Sequence, residues 1–480
     1  METHVQENGG TNGHQENDVS PAAGANTAAT LSRLREAFAS GRTRTFEWRR
    51  QQLEGLGRLL ADHEKAILDA LHADVGKPSL EAYIAEVGYT AREVASALKN
   101  LSRWMKPERV AMPLVSQPGV SRIHREPLGV VLIIGPWNYP FQLVGGPLIG
   151  ALTAGNCVLV KPSEVAPAVS ALLARLLPRY LDPECVAVLE GGVAETTEIL
   201  THPFDHIFYT GNGAVGRVVM TAAAQHLTPV TLDLGGKSPC IVDRDVDLDV
   251  AAKRIAWGKF FNAGQTCVAP DYVLVHEAQH DALLARLTST LRTFYGDDPQ
   301  ASPDFGRIVN ARHLRRLNAL IPDSGAVVVG GQSDESTRYF APTVLRDVPA
   351  DSPVMADEIF GPILPVLKVK SIEEAVRFIN ARPKPLALYL YSTNDDSQRR
   401  VLEGTSSGGL VINHCWLHLG VPGLPFGGVG ASGMGAYHGK HSFETFSHRK
   451  AVMKKPTSID PPIMYPPYTE SKETWIRRLL

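Results

Sequence analysis

Two α/β domains, each a mostly parallel sheet wound with helices on both faces, are the fold that this sequence predicts. Three observations lead there. At 480 residues the chain is long enough for two or three cores. Strand-length apolar runs alternate with helical periodicity up to residue 224, as a parallel sheet covered on both faces requires. The alternation then starts again after Cys267.

Each element has its own justification. Residues 31–105 read as helix, because apolar positions such as Leu53, Leu56, Leu59 and Leu60 recur every three or four residues among Arg, Glu and Gln. Residues 120–124 form a short extended run between prolines. Residues 129–135 are a continuous apolar run of strand length, and 156–160 are another. Helix is expected at 168–177, and extended chain at 186–190 and 207–209. Beyond Cys267, extended runs at 272–276, 326–329, 363–369 and 386–391 alternate with helices at 278–294 and 372–379. The crossing between domains falls near Asp233. No internal repeat is visible.

Composition is that of a soluble globular protein, with 44% hydrophobic and 20% charged residues and a formal net charge of −2. No basic excess or basic run points to nucleic acid. Cys157, Cys185, Cys240, Cys267 and Cys415 are odd in number and lack metal-ligand spacing, which argues against a disulfide framework and a zinc site. A reducing compartment, the cytoplasm, is expected. The first thirty residues hold Glu2, Glu7, Glu16 and Asp18 but no Lys or Arg, so they read as a disordered tail rather than a leader. No charge occurs between Glu126 and Lys161, a membrane-length stretch. Pro136, Pro140, Pro147 and several polar residues interrupt it, so strand, loop, helix and strand is the better reading. Trp475 and the terminal leucines beside Arg477 and Arg478 allow weak contact with a membrane surface. A solvated or packed tail is the better reading.

The chemistry concentrates in three places. Cys267 ends the small polar loop Phe261-Asn262-Ala263-Gly264-Gln265-Thr266, where a thiol can meet an activating base or dipole. Buried, inert cysteine is the alternative. Gly211-Asn212-Gly213-Ala214-Val215-Gly216 lies between an extended run and a helical one, the setting of a dinucleotide fingerprint. That fingerprint expects an acidic residue about twenty positions on, and Asp233 would serve as the ribose ligand. Lys161-Pro162-Ser163-Glu164 competes for the same duty at a strand's carboxyl end, or is a solvated loop.

Together these segments resemble the aldehyde dehydrogenase superfamily. The likeness runs over residues 31–455 and adds Pro136-Trp137-Asn138-Tyr139-Pro140, Glu358-Ile359-Phe360-Gly361-Pro362 and Pro425-Phe426-Gly427-Gly428. Thr228-Pro229-Val230-Thr231, Tyr437-His438-Gly439-Lys440 and residues 442–448 are similar to the class 3 branch, nearest the 3B type. The resemblance implies a thiolate nucleophile at Cys267, with Asn138 and the Cys267 amide as oxyanion donors. Such donors contribute a few kcal/mol at the transition state. It assigns the general base to Asp233, and the NAD or NADP contacts to Lys161, Ser163, Glu164, the loop Gly211, Asn212, Gly213, Ala214, Val215 and Gly216, and Glu358 with Phe360. Tyr139 and Trp257 match the aldehyde pocket, although isolated aromatics read equally as core. No metal is implied.

The same resemblance implies a domain plan. Residues 31–112 and 128–233 bind dinucleotide, 234–420 form the catalytic domain, and 113–127 with 440–455 give bridging strands of a homodimer. Residues 421–439 return to the cofactor domain, and 456–480 are a tail. The expected activity is oxidation of medium- or long-chain aliphatic and aromatic aldehydes to acids. Four departures stand out: Asp233 where the family has Glu, Asn212 for Ser, His414 for Asp, and an altered stretch at 420–423. The short carboxylate keeps two alternatives open, a cofactor-independent esterase using the same thiol and a catalytically weakened dinucleotide-binding or structural protein.

Overall fold

The structure is a computed structural model that describes residues 21–479. Two separate sheets carry the architecture. One has six strands in the order Gly433–Met434, Val230–Leu234, His206–Gly211, Val130–Ile134, Cys157–Lys161, Val186–Val188. Five of them run parallel, and Gly433–Met434 closes one edge antiparallel to Val230–Leu234. The chain leaves Val130–Ile134 in one direction for its next two strands and in the other for the later two. That reversal makes a crevice at the strands' carboxyl ends, where α/β proteins bind ligands. Asn138 and the Gly211–Gly216 loop follow the two strands flanking it.

The second sheet has seven strands, ordered Ala326–Val329, Thr343–Arg346, Ile363–Val369, Tyr272–His276, Pro239–Val242, Ala387–Tyr391, Gly409–Ile412. All pairings are parallel except that of Ala326–Val329. A third, three-stranded sheet joins Glu108–Val110, Val120–Pro127 and Ser447–Lys454 in antiparallel register. Strand residues such as Leu132, Val160, Phe208, Val273, Val366 and Leu388 are wholly buried, and this explains the unbroken apolar runs.

The charge-free stretch resolves as expected into the strand Val130–Ile134, the helix Gln142–Ala154 and the strand Cys157–Lys161. All 13 residues of that helix are buried, so it is apolar all round for packing. Among the described residues, no helix is long and apolar enough to cross a membrane.

Three expectations need correction. The tail expected over residues 1–30 is helix from Pro21 onward, within Pro21–Ala39; residues 1–20 lie outside the described residues. Alanine-rich sequence favours helix, and buried Leu31 and Leu34 anchor it. Second, the first bridging strand is Val120–Pro127, whereas Leu114–Ser116 is a 3₁₀ turn. Glu108–Val110, expected in the cofactor domain, pairs with the bridging sheet instead. Third, the segment expected as strand from residue 440 begins as the helix Gly439–Thr445, and only Ser447–Lys454 is extended. A strand needs a neighbour, and its partner Val120–Pro127 offers register for those eight residues alone.

Candidate active site

The loop that carries Cys267 is built from conformations that few side chains adopt. The helix Leu248–Phe260 starts at Asp247, whose carboxylate accepts from the Val250 amide at 3.0 Å. Immediately after it, Asn262 and Ala263 take positive φ values of 53° and 50°. Gly264 follows at 72°, and a Cβ there would stand 2.3 Å from the Gly361 carbonyl. Strain of this kind persists only where surroundings enforce it. The enforcement is explicit: the Asn262 amide donates to Glu81 Oε2 at 2.8 Å, and Asn262 Nδ2 to the Asn138 and Gln265 carbonyls, each at 3.1 Å. Gln265 is itself tied by its side chain to Asn262, Arg307 and Val309. Cys267 is the one cysteine of the five that is not fully buried.

Asn138 stands directly beside this loop, with Nδ2 donating to the Gln265 carbonyl at 3.1 Å. One amide hydrogen remains for another acceptor. Beneath it is a feature the sequence reading missed. Lys77 and Glu86, both wholly buried, form an ion pair, and Lys77 Nζ donates to the Asn138 carbonyl at 3.0 Å. Glu86 Oε2 accepts from the amides of Phe141 and Gln142 at 2.9 and 3.2 Å. The same ammonium lies 4.0 Å over the Tyr139 ring, whose hydroxyl meets Thr266 Oγ1 at 2.6 Å. The pair therefore fixes the Asn138 loop, and Tyr139 pins the residue before the thiol.

Two carboxylates face the sulfur. Asp233, at the end of Val230–Leu234, is buried, and burial pushes its carboxyl up to about 7 against an opposing hydrogen bond from Tyr437. Its Oδ1 has no protein partner. Glu358 is pushed up to about 8, by burial first and then by Asp271. The Cys267 thiol is held well above its ordinary value by burial, then by Asp233 and Glu358. Its surroundings thus favour the neutral thiol over the thiolate.

Glu358 packs against Gly235 in the crossover, where a Cβ would stand 2.0 Å from Oε2. Its Oε1 is also a buried oxygen without a partner. The neighbouring backbone is anchored by Asp271, which accepts from the Ile359 amide at 3.0 Å and pairs with Lys237. Arg316 donates to the carbonyls of Ile359 and Phe360 at 2.7 and 3.3 Å. These contacts hold Phe360 at φ 47°, edge-on to Trp137 at 5.3 Å.

The remaining expected residues divide into two groups. Trp257 joins Phe261 at 5.6 Å, Trp416 at 5.2 Å and the departing residue His414 at 5.9 Å in an aromatic cluster beside the nucleophile loop. The cofactor candidates lie at the crevice. Asn212 caps the helix Gly213–Gln225, its Oδ1 accepting from the Val215 amide at 2.9 Å. The amides of Gly213 and Ala214 have no helical acceptor, as in any first turn. Gly216 lets that helix approach Leu234, which a Cβ would meet at 3.0 Å. Lys161, buried at its strand end, donates to the Pro162 carbonyl at 2.8 Å and to exposed Glu164 at 3.3 Å. Ser163 is buried, and its Oγ accepts from the Val165 amide at 3.2 Å. A glycine-lined helix start, a strand-end Lys–Glu pair and an orphaned Glu358 oxygen fit a dinucleotide. Among the described residues, no group of three or more metal-ligating side chains occurs.

Comparison with known proteins shows the family of the chain. The profile described as "Aldehyde dehydrogenase family" matches residues 8–452. The chain is 54% identical over 440 residues to "Aldehyde dehydrogenase family 3 member B1" of Homo sapiens, covering 91% of this chain and 94% of that one. It is 53% identical over 426 residues to "Aldehyde dehydrogenase, dimeric NADP-preferring" of Rattus norvegicus, covering 89% and 94%. Among solved structures, the substrate-bound state of Staphylococcus aureus AldH superposes with a TM-score of 0.92 at 47% identity, covering 94% and 98%.

Proposed function

This chain belongs to the aldehyde dehydrogenase family, in its class 3 branch and similar to the 3B type, and we propose from that premise how its own residues oxidise aldehydes. The enzyme is an oxidoreductase that converts aldehydes to acids with NAD or NADP. One observation carries the assignment of roles: the Asn138 side-chain amide and the loop of Cys267 are hydrogen-bonded to each other, with Asp233 acting electrostatically on the same sulfur. Neither a cofactor-independent esterase nor a structural role is favoured beside it.

Cys267 loses its proton to solvent and attacks the aldehyde carbon as a thiolate. The developing oxyanion is met by the free Asn138 N–H and the Cys267 amide, donors already fixed by the Lys77–Glu86 pair and therefore costing little reorganisation. Lys161, Ser163, Glu164 and the Gly211–Gly216 loop hold the adenosine and phosphate portion of the dinucleotide, and Glu358 with Phe360 the nicotinamide portion. Bound there, NAD or NADP supplies the acceptor for the hydride. Asp233 then takes a proton from the water that hydrolyses the thioester. Tyr139 and Trp257 shape the aldehyde pocket, and the aromatic cluster supports medium- or long-chain and aromatic substrates. Homodimers form through the bridging sheet, as the word "dimeric" in the rat relative's name suggests. Five unpaired cysteines support a reducing, cytoplasmic setting, and medium- or long-chain aldehydes as substrates would give the enzyme a part in lipid metabolism.

Purified protein with a fatty aldehyde and either cofactor is expected to generate reduced nicotinamide, and Cys267→Ala to abolish it. Cys267-dependent ester cleavage without any reduced nicotinamide, across a panel of aldehydes, would sink the dehydrogenase reading.

A further inference from the structure

Tyr437 reaches Asp233 from 204 positions away in the chain. Its phenol is wholly buried and donates to Asp233 Oδ2 at 3.0 Å, while Oδ1 is left without a protein partner. The backbone reinforces the contact. Gly433 stands opposite Asp233 in antiparallel register, and the Leu234 amide donates to the Ser432 carbonyl at 3.1 Å. Tyr437 is itself immobilised, exchanging backbone hydrogen bonds with Phe426 at 2.8 and 3.0 Å and meeting Phe208 edge-on at 4.9 Å.

We propose that Tyr437 is a positioning residue for deacylation: it holds the short Asp233 carboxylate by Oδ2 and leaves Oδ1 to accept the proton of the hydrolytic water. The proposal rests on the reading of Asp233 as the base. A buried carboxylate oxygen without a partner is costly unless a water or a reacting proton fills the place. A hydrogen bond to the ionised form favours that form, and here it opposes the effect of burial. The titratable groups facing this carboxylate are few. Tyr437 comes from the return segment, its phenol held far above its ordinary value so that it stays a donor. Cys267 comes from the nucleophile loop. The paired strand residues Thr210 and Gly433 bring no charge. Behind Tyr437 stand Tyr89 and His438, which burial keeps neutral; behind Cys267 stands Glu358.

The step balances. One water O–H bond breaks and its proton goes to Asp233 Oδ1. The remaining hydroxide oxygen bonds to the thioester carbon, the C–S bond breaks, and its electron pair leaves on Cys267 as thiolate. The carboxylic acid departs, and Asp233 returns its proton to solvent.

The test follows the burst of reduced nicotinamide and the steady-state rate against pH in the full-length enzyme. Tyr437→Phe should keep the burst and move the acidic limb of the steady-state rate up by about one pH unit, the worth of one charge-assisted hydrogen bond. Tyr437→3-fluorotyrosine, a stronger donor of nearly the same shape, should move the limb down. Asp233→Asn should remove the limb and leave an acyl adduct on Cys267. If Asp233→Asn keeps the native limb, the base has been misassigned. If it removes the limb while neither replacement at Tyr437 shifts it, the positioning role alone is overturned.

Discussion

With Asp233 proposed as the base, a single methylene decides how far its carboxylate would reach toward a thioester. Misplacing a catalytic group by about 1 Å can cost on the order of 10²-fold. Asp233→Glu is therefore expected to raise steady-state turnover by up to about that factor without changing the burst. Unchanged or lower turnover, in stopped-flow and steady-state assays, would show that reach is not limiting. The raised carboxyl also sets a pH dependence. With its native value near 7, Asp233 is protonated below that pH and turnover declines toward acid. The stability sign is opposite to that of a salt-bridged carboxylate. Because the folded value lies above the ordinary value of 3.8, its favourable contribution is complete below the unfolded value and is lost as pH rises through about 7. Asp233→Asn should accordingly raise the urea midpoint more at pH 8 than at pH 5. A gain independent of pH would contradict the burial argument.

Elements supply what no single residue can. The π-helical turn Tyr83–Val87 places Glu86 against Lys77, and the pair carries the Asn138 loop. Lys77→Met leaves Glu86 buried without its partner and should cost about 3–5 kcal/mol in chemical denaturation, with a fall in kcat through the loosened oxyanion donor. A loss of stability below about 1 kcal/mol would mean that the pair is dispensable. At the phosphate loop, Asn212→Ala removes the helix cap and should cost about 1 kcal/mol while weakening NAD binding in calorimetry. Asn212→Ser keeps a capping oxygen and should restore both. Most of these elements were legible beforehand. Strands Tyr272–His276 and Ile363–Val369 fall where apolar runs placed them, because a buried parallel strand must be apolar. Ala326–Val329 falls where its β-branched run placed it, although it is a partly exposed antiparallel edge strand. Strands Thr343–Arg346 and Gly409–Ile412 were not recognised, since short runs with polar or glycine residues carry too little periodicity.

For the whole molecule, the proposed homodimer would be assembled through the bridging sheet. Ser447–Lys454 pairs on one side with Val120–Pro127, and its other edge remains free among the described residues, a template for a second chain. Met453 on that strand and Leu114 nearby in sequence to the partner strand are 52% and 74% exposed, which a dimer interface would explain. The double variant Met453→Asp/Leu114→Asp should shift the sedimenting species from dimer to monomer while leaving the burst intact. A wild-type enzyme that already sediments as a monomer would refute the interface.

The sequence by itself determined the two α/β domains, which are written in local pattern, in runs and periods. Its ordered motifs, through the family resemblance they carry, supplied the proposals for the nucleophile loop and for the strand ends that would hold the dinucleotide. Only the tertiary structure decided that Tyr437 grips Asp233, that a buried Lys77–Glu86 pair holds Asn138, and that residues 21–30 are helix, with Thr27 and Thr30 buried. Those contacts join segments whose local patterns are independent of one another, so nothing short of the folded chain could bring them into one statement.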